Sequence, residues 1–369
     1  MSNSVVLLNI LNNALNGNNM PLENIDDELM VVLKEQCFLP MLWFVSKKKE
    51  YKAFFLQSFI VHEKIDKISN NLKNILDSNN VKHVFLKGYF LRELYPDRNL
   101  RTIGDIDILV EEENFDVVVK LLKENNFNFG EDDGHHIQIW KNGVLIELHR
   151  NLFEEHRVLS DYFSKPFENI VNVDKFTYKL NAEYDFLYLI GHYAKHINIG
   201  AGLRPLCDIY LMLKKCDIDL PYIEKELNKL GLSKFYNMLL NMIYIIFDFK
   251  VVSFVEDSSV NEMIEYCIKS GVHGQGSKSN MTHNNVRTVT NGKKIPYLLK
   301  RLFIPVRQLF SIYPWTKSII LIPFGYIVRF FEFLFFKRDK LKVVLNYKED
   351  SDYLLLKKLG LLNEDDKYF

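Results

Sequence analysis

Two aspartates one residue apart, Asp105 and Asp107, stand in "GDIDILV", and fewer than twenty residues upstream an apolar run, "VKHVFLKG", ends at Lys87-Gly88. Side chains alternate along a strand, so both carboxylates face the same way with Cα atoms about 6–7 Å apart. The intervening Ile106 and the following Ile108 then face a core. A further acid, Glu147, shares one face of "VLIELH" with His149, while Ile146 and Leu148 share the other. If that strand lies beside "DIDIL", three acids occupy one patch of sheet. Such a patch is costly without cations, and hard divalent ions with oxygen ligands, Mg²⁺ (or Mn²⁺), relieve it.

The Lys-Gly turn offers what such ions would act on. A strand that ends in Gly88 and runs directly into a helix leaves free N–H groups, and glycine permits close approach of the backbone. Lys87, Arg92 and Arg101 add positive charge nearby. Acids, metals and a phosphate cradle together describe two-metal phosphoryl chemistry. His192 and His196 sit one helical turn apart, but "YAK" between them lacks the glutamate of a zinc-protease motif. They read as structural or substrate-facing, with Asp208 on the next helix as a partner. His135-His136 reads as the rim of a cleft, and His149 as either a substrate contact or a hydrogen-bonded structural residue.

The elements that must position these groups follow from periodicity. Residues 1–79 read as an N-terminal helical region, with Leu56, Ile60, Ile65, Ile68, Leu72 and Ile75 at helical spacing before "DSNN". Residues 80–178 read as strand, short helix stopped by Pro96, strand, amphipathic helix and hairpin, the last turning at Asn142-Gly143. Residues 179–270 read as a helical domain and 271–296 as a flexible polar loop. Residues 297–369 form a basic, aromatic, helical C-terminal region, and 293–342 hold 11 Lys or Arg against 2 Asp or Glu. The fold class expected is therefore α+β, a small mixed sheet framed by helical regions at both ends.

Composition excludes several classes. Hydrophobic residues are 48% and charged residues 25% of 369, as in an ordinary globular protein. Lys plus Arg and Asp plus Glu number 47 each, so whole-molecule charge selects neither nucleic acid nor membrane. Cys37, Cys207, Cys216 and Cys267 are scattered, which fits a reducing compartment and gives no zinc spacing. The first twenty residues lack a basic start and are broken by Asn, unlike a signal peptide, so a cytoplasmic location is expected. Residues 318–336 approach spanning length but contain Pro323, Arg329 and Glu332. The C-terminal region reads as packed helix or as a surface for an anionic partner or membrane, with no transmembrane segment.

"LKG", then "RTIGDIDILV", then "LIELH" resembles the nucleotidyltransferase superfamily, whose core pattern is hG[GS], DhD and h[DE]h. Within it the likeness is to a bacterial branch of uncharacterised nucleotidyltransferases, and "GLRPLCDIY" is similar to that branch's later region. The resemblance implies a nucleotidyltransferase core in which Asp105, Asp107 and Glu147 hold two Mg²⁺ ions. It implies transfer of a nucleoside monophosphate, AMP from ATP in the first instance, to a hydroxyl of an unnamed acceptor (protein, RNA or small molecule). Glu147 would assist deprotonation and Gly88 would carry the triphosphate. Tyr89 follows Gly88 among the expected phosphate contacts, where Ser or Gly is usual, and the third acid is Glu rather than Asp. That departure keeps a second expectation open, a nucleotide-binding or regulatory module of the same fold without turnover.

Overall fold

The structure is a computed structural model that describes residues 3–22, 25–132, 136–153, 157–198, 200–251, 254–272, 286, 293–335, 338–346 and 351–362. Its strands are β1 (His83–Phe85), β2 (Asp105–Val110), β3 (Asn128–Asp132), β4 (His136–Lys141), β5 (Val144–His149), β6 (Ile170–Asp174) and β7 (Thr177–Leu180). They form one mixed sheet in the order β3-β4-β5-β2-β1-β7-β6. Four of these strands are the ones expected; β3, β6 and β7 enlarge the sheet. Gly130 and acidic residues break the pattern of β3, and β6 is an edge strand that leaves Val171 and Val173 exposed. Neither therefore carries a clean alternation.

Helices cover both faces. They are α1 (Asn3–Asn16), α2 (Asp27–Glu35), α3 (Leu39–Ser46), α4 (Lys52–Ser78), α5 (Gly88–Leu91), α6 (Phe115–Glu124), α7 (Arg157–Tyr162), α8 (Ala182–Ile197), α9 (Arg204–Lys215), α10 (Leu220–Lys229), α11 (Ser233–Phe247) and α12 (Val260–Ser270). The C-terminal region adds α13 (Lys294–Leu302), α14 (Val306–Ile312), α15 (Ile322–Phe335), α16 (Arg338–Asn346) and α17 (Ser351–Lys358). One core lies between the sheet and α4 with α6, where Ile65, Leu72, Val118 and Leu122 meet Ile106, Ile108, Ile146 and Leu148. The larger core joins α1–α3 to α8–α12 and meets the opposite face through Val84, Leu86 and Leu109. Gln36 ties those groups together: its Nε2 donates to the carbonyls of Cys267 and Ile268, and Leu203 N donates to its Oε1.

Helix α4 departs from the expected stripe. Leu56 and Ile60 are exposed, whereas Ser58, His62, Ile65, Ser69, Leu72 and Leu76 are buried. The reason is local. The first half of α4 packs on backbone carbonyls: Ser58 Oγ donates to Asn99 O at 2.7 Å, and His62 Nε2 lies 3.0 Å from Arg101 O. Buried carbonyls need donors, so the inward face there is polar. The Asn142-Gly143 turn is as expected, with positive φ at both residues and Lys141 paired to Val144. Most of 271–296, read above as a flexible loop, lies outside the described residues, and α13 already begins at Lys294. No described helix is long and apolar enough to cross a membrane. Helices α2 and α3 are jointly apolar enough but meet at 116°, and Leu29, Leu33, Met41, Leu42 and Val45 are core residues.

Candidate active site

Strand β2 runs parallel to β5 with Asp107 opposite Glu147 and Leu109 opposite His149. The apolar neighbours Ile106 and Ile108 bury on the α4–α6 side, so the polar set stands on the side facing α8 and α9. There a cavity of about 440 Å³ is lined by Lys87, Gly88, Asp105, Asp107, Glu147 and, from the helical wall, His192. Arg101, His196 and Arg204 also line it. Residues far apart in sequence, from the sheet and from α8–α9, thus form one cleft.

Charge in this cleft is organised around Asp107. His149 Nε2 donates to Asp107 Oδ1 at 2.9 Å, and Lys87 Nζ lies 3.5 Å from the same oxygen. Burial opposes ionisation of Asp107, but the Lys87 ammonium and the His149 hydrogen bond outweigh it and hold the carboxyl well below its ordinary range. Burial likewise opposes the charge on Lys87 and His149, and the neighbouring acids reverse the balance, so both are pushed up. Asp105 goes the other way. Burial first, then repulsion from Asp107 and Glu147, raises it to about 6.

Ligand atoms of Asp107, Glu147 and His149 all lie within 4.8 Å of one another. An acid pushed toward neutrality by burial and then by its neighbours, beside two further carboxylates, is a donor set that fits a hard divalent cation. Asp105 is not among the three converging groups; His149 is. The alternation of "IELH" already puts His149 on that face, and its hydrogen bond to Asp107 gives it the role of orienting a carboxylate.

Lys87 is held in an uncommon backbone conformation, φ 43° and ψ −111°. Side-chain-bearing residues rarely adopt positive φ, and such strain gathers at functional sites. Gly88 follows for a steric reason: a Cβ there would stand 2.7 Å from Arg101 Nη1. Arg101 has no freedom to yield, because its Nε and Nη2 donate to the two oxygens of Asp208 at 2.8 Å each, and Tyr95 Oη donates to Asp208 Oδ1. Asp208 thus pairs with the sheet-side Arg101. It does not pair with His192 or His196, whose Nε2 atoms lie 3.1 Å from each other.

Two expected phosphate contacts lie elsewhere. Arg92 is buried beside α4, where it donates to Asp66 and to the Tyr89 carbonyl and approaches His62 Nδ1 at 3.3 Å. The Tyr89 ring stacks on Phe85 at 4.4 Å and packs with the α4–α6 core, on the far side of the sheet from the acids. Its bulk does not fill the cleft. Helix α5 spans only Gly88–Leu91, so its contribution at a phosphate is confined to local N–H groups. Arg204 was not singled out from sequence; "GLRP" marks only a helix start, and its place on the cavity follows from how α9 packs. Among the described residues, His136 Nε2 stands 3.7 Å from Glu147 Oε1; His135 lies outside them.

A mixed sheet that presents acids from parallel neighbouring strands, above a cleft with basic residues on its wall, is the arrangement of a nucleotidyltransferase core. The family described as "Uncharacterised nucleotidyltransferase" matches residues 48–248, more than half of the chain, and the protein belongs to that family. Megavirus polyadenylate synthase aligns with it at 11% identity and a TM-score of 0.27, covering 53% of this chain and 39% of that one. At that score the likeness carries no structural argument. No curated protein matches the chain.

Proposed function

We propose that the protein transfers a nucleoside monophosphate from a nucleoside triphosphate, ATP in the first instance, to a hydroxyl group of an acceptor, releasing pyrophosphate. The observation that carries this reading is the register that sets Asp107 opposite Glu147, with Asp105 on the same face, over the cleft lined by Lys87 and Arg204. Asp105, Asp107 and Glu147 would hold divalent metal, Mg²⁺ or Mn²⁺, which supplies charge neutralisation at the phosphoryl group and activation of the acceptor oxygen.

The chain's own residues do the rest. Lys87 stays an ammonium and presents positive charge to phosphate oxygens from the cleft floor. His149 fixes the orientation of the Asp107 carboxylate. Gly88 keeps the backbone open beside Arg101, whose pairing with Asp208 fastens the sheet to α9. Glu147 would take the proton of the acceptor hydroxyl. His192 and His196 lie on the wall across the cleft, where they would meet the base or the acceptor.

Incubation of the protein with labelled nucleoside triphosphates, Mg²⁺ or Mn²⁺ and cell extract tests this. The expected result is a labelled acceptor and pyrophosphate, both lost in Asp107→Ala. Nucleotide binding without any product would leave the module without turnover instead.

A further inference from the structure

Two of the C-terminal helices, α13 and α15, leave rows of apolar side chains exposed. Along α15, Phe324, Ile327, Val328, Phe331 and Phe335 fall on one helical stripe and all are exposed, while only Gly325 of that helix is fully buried. Helix α13 presents a second stripe, Ile295 and Leu299, which continues to Phe303; Ile295 is 72% exposed, and Ile320, just before α15, is 74% exposed. Between α13 and α15 lies an open groove of about 660 Å³. Leu302, Phe303, Pro323, Ile327, Phe330 and Phe331 line it, with Tyr326, whose hydroxyl donates to Ile304 O. Contiguous exposed apolar surface of this kind marks an interaction site.

The surrounding charge selects the partner. Residues 293–342 carry 11 Lys or Arg against 2 Asp or Glu, in a chain whose total is balanced. Two copies of so basic a surface repel, which disfavours self-association through it. A polyanion such as RNA would use the cations and the rings but has no use for exposed Ile295, Leu299, Ile320 and Ile327. A surface of aliphatic and aromatic side chains among Lys and Arg matches the interface of an anionic bilayer, where apolar groups enter the acyl boundary and cations meet headgroups.

We propose that α13 to α15 form an interfacial membrane-binding surface for anionic phospholipid, with the α13–α15 groove receiving part of an acyl chain. The helices lie on the bilayer and do not cross it. This reading is independent of the one made for the cleft.

Flotation of the full chain with vesicles of phosphatidylcholine, alone or mixed with phosphatidylglycerol, tests it. The chain should float with the mixed vesicles, less with phosphatidylcholine alone, and less again as salt is raised. Phe324→Ser combined with Phe331→Ser should cut binding about tenfold or more. Lys300→Gln with Arg301→Gln should weaken it only in the anionic vesicles. An unchanged melting temperature and helical circular dichroism would show that each variant is folded. The proposal is overturned if the parent chain stays unbound, or if the phenylalanine variant floats as well as the parent. Retention on polyuridylate without flotation, equal in parent and variant, would assign the surface to a polyanion and also overturn it. So would a variant that alters only self-association.

Discussion

Around Asp107 the protein buries charge, and along α15 it exposes hydrocarbon. Both are departures from the usual partition of residues, and buried polar groups and exposed apolar patches are the informative ones. They differ in what compensates them. In the cleft every buried ion that matters has a named neighbour: Asp107 has His149 and Lys87, and Arg101 has Asp208. On α13 and α15 the stripes touch little beyond each other, as where Phe303 packs on Tyr326, and they stay largely exposed. Compensation inside the molecule makes the first region intolerant of change. Its lack makes the second tolerant in isolation and sensitive only when something else is added.

The largest effect should come from the centre of the cleft. Asp107→Asn should reduce nucleotidyl transfer by about 10³-fold or more, the loss of several kcal/mol of metal-dependent transition-state stabilisation. A pyrophosphate-release assay reads this directly, and near-parent rates would break the contrast. Next comes Asp208→Ala, which strands a buried guanidinium and should destabilise the fold by about 3–5 kcal/mol in urea titration. Gly88→Ala forces a Cβ against the pinned Arg101 and should cost about 1–3 kcal/mol.

A smaller effect is expected from acid. His62 is buried, faces Arg92 and Arg98 with Asp66 nearby, and is pushed down to about 4, mainly by burial. The unfolded chain therefore binds the extra proton between its ordinary value near 6.5 and about 4. Stability from this group is full above that window and lost as pH falls through it. His62→Gln should flatten that slope in melting curves taken from pH 7 to pH 4. Smallest of all, Phe324→Ser with Phe331→Ser should change stability by no more than about 0.5 kcal/mol. A large loss there would mean that the stripe has an internal partner.

Much of the cleft was legible because strand alternation is a strict rule. "GDIDILV" and "VLIELH" each separate polar from apolar positions, and the parallel register then brings Asp107 opposite Glu147. Where side-chain direction depends on packing, the sequence said less. Arg92 follows the Lys-Gly turn by only a few residues, yet it turns toward Asp66 on α4. Tyr89 belongs to the Phe85 stack beneath the sheet, and Asp208 reaches across to Arg101. Arg204 reaches the cavity only through the way α9 sits against the sheet. The strands β6 and β7 carry only a weak sequence pattern because a short hairpin at the sheet edge buries little.

The larger core has a consequence for how the chain is made. Leu7, Ile10, Leu11 and Ala14 bury in the same cluster as Phe235, Leu239, Ile243 and Phe247. On a ribosome adding about 5–20 residues per second, the first helix would wait roughly ten to forty seconds for those partners to emerge. During that interval the α4-covered side of the sheet can assemble from its own neighbours, whereas α1 must stay solvated or be shielded. The wall of the cleft therefore closes only after the opening of the chain and its later helices have met.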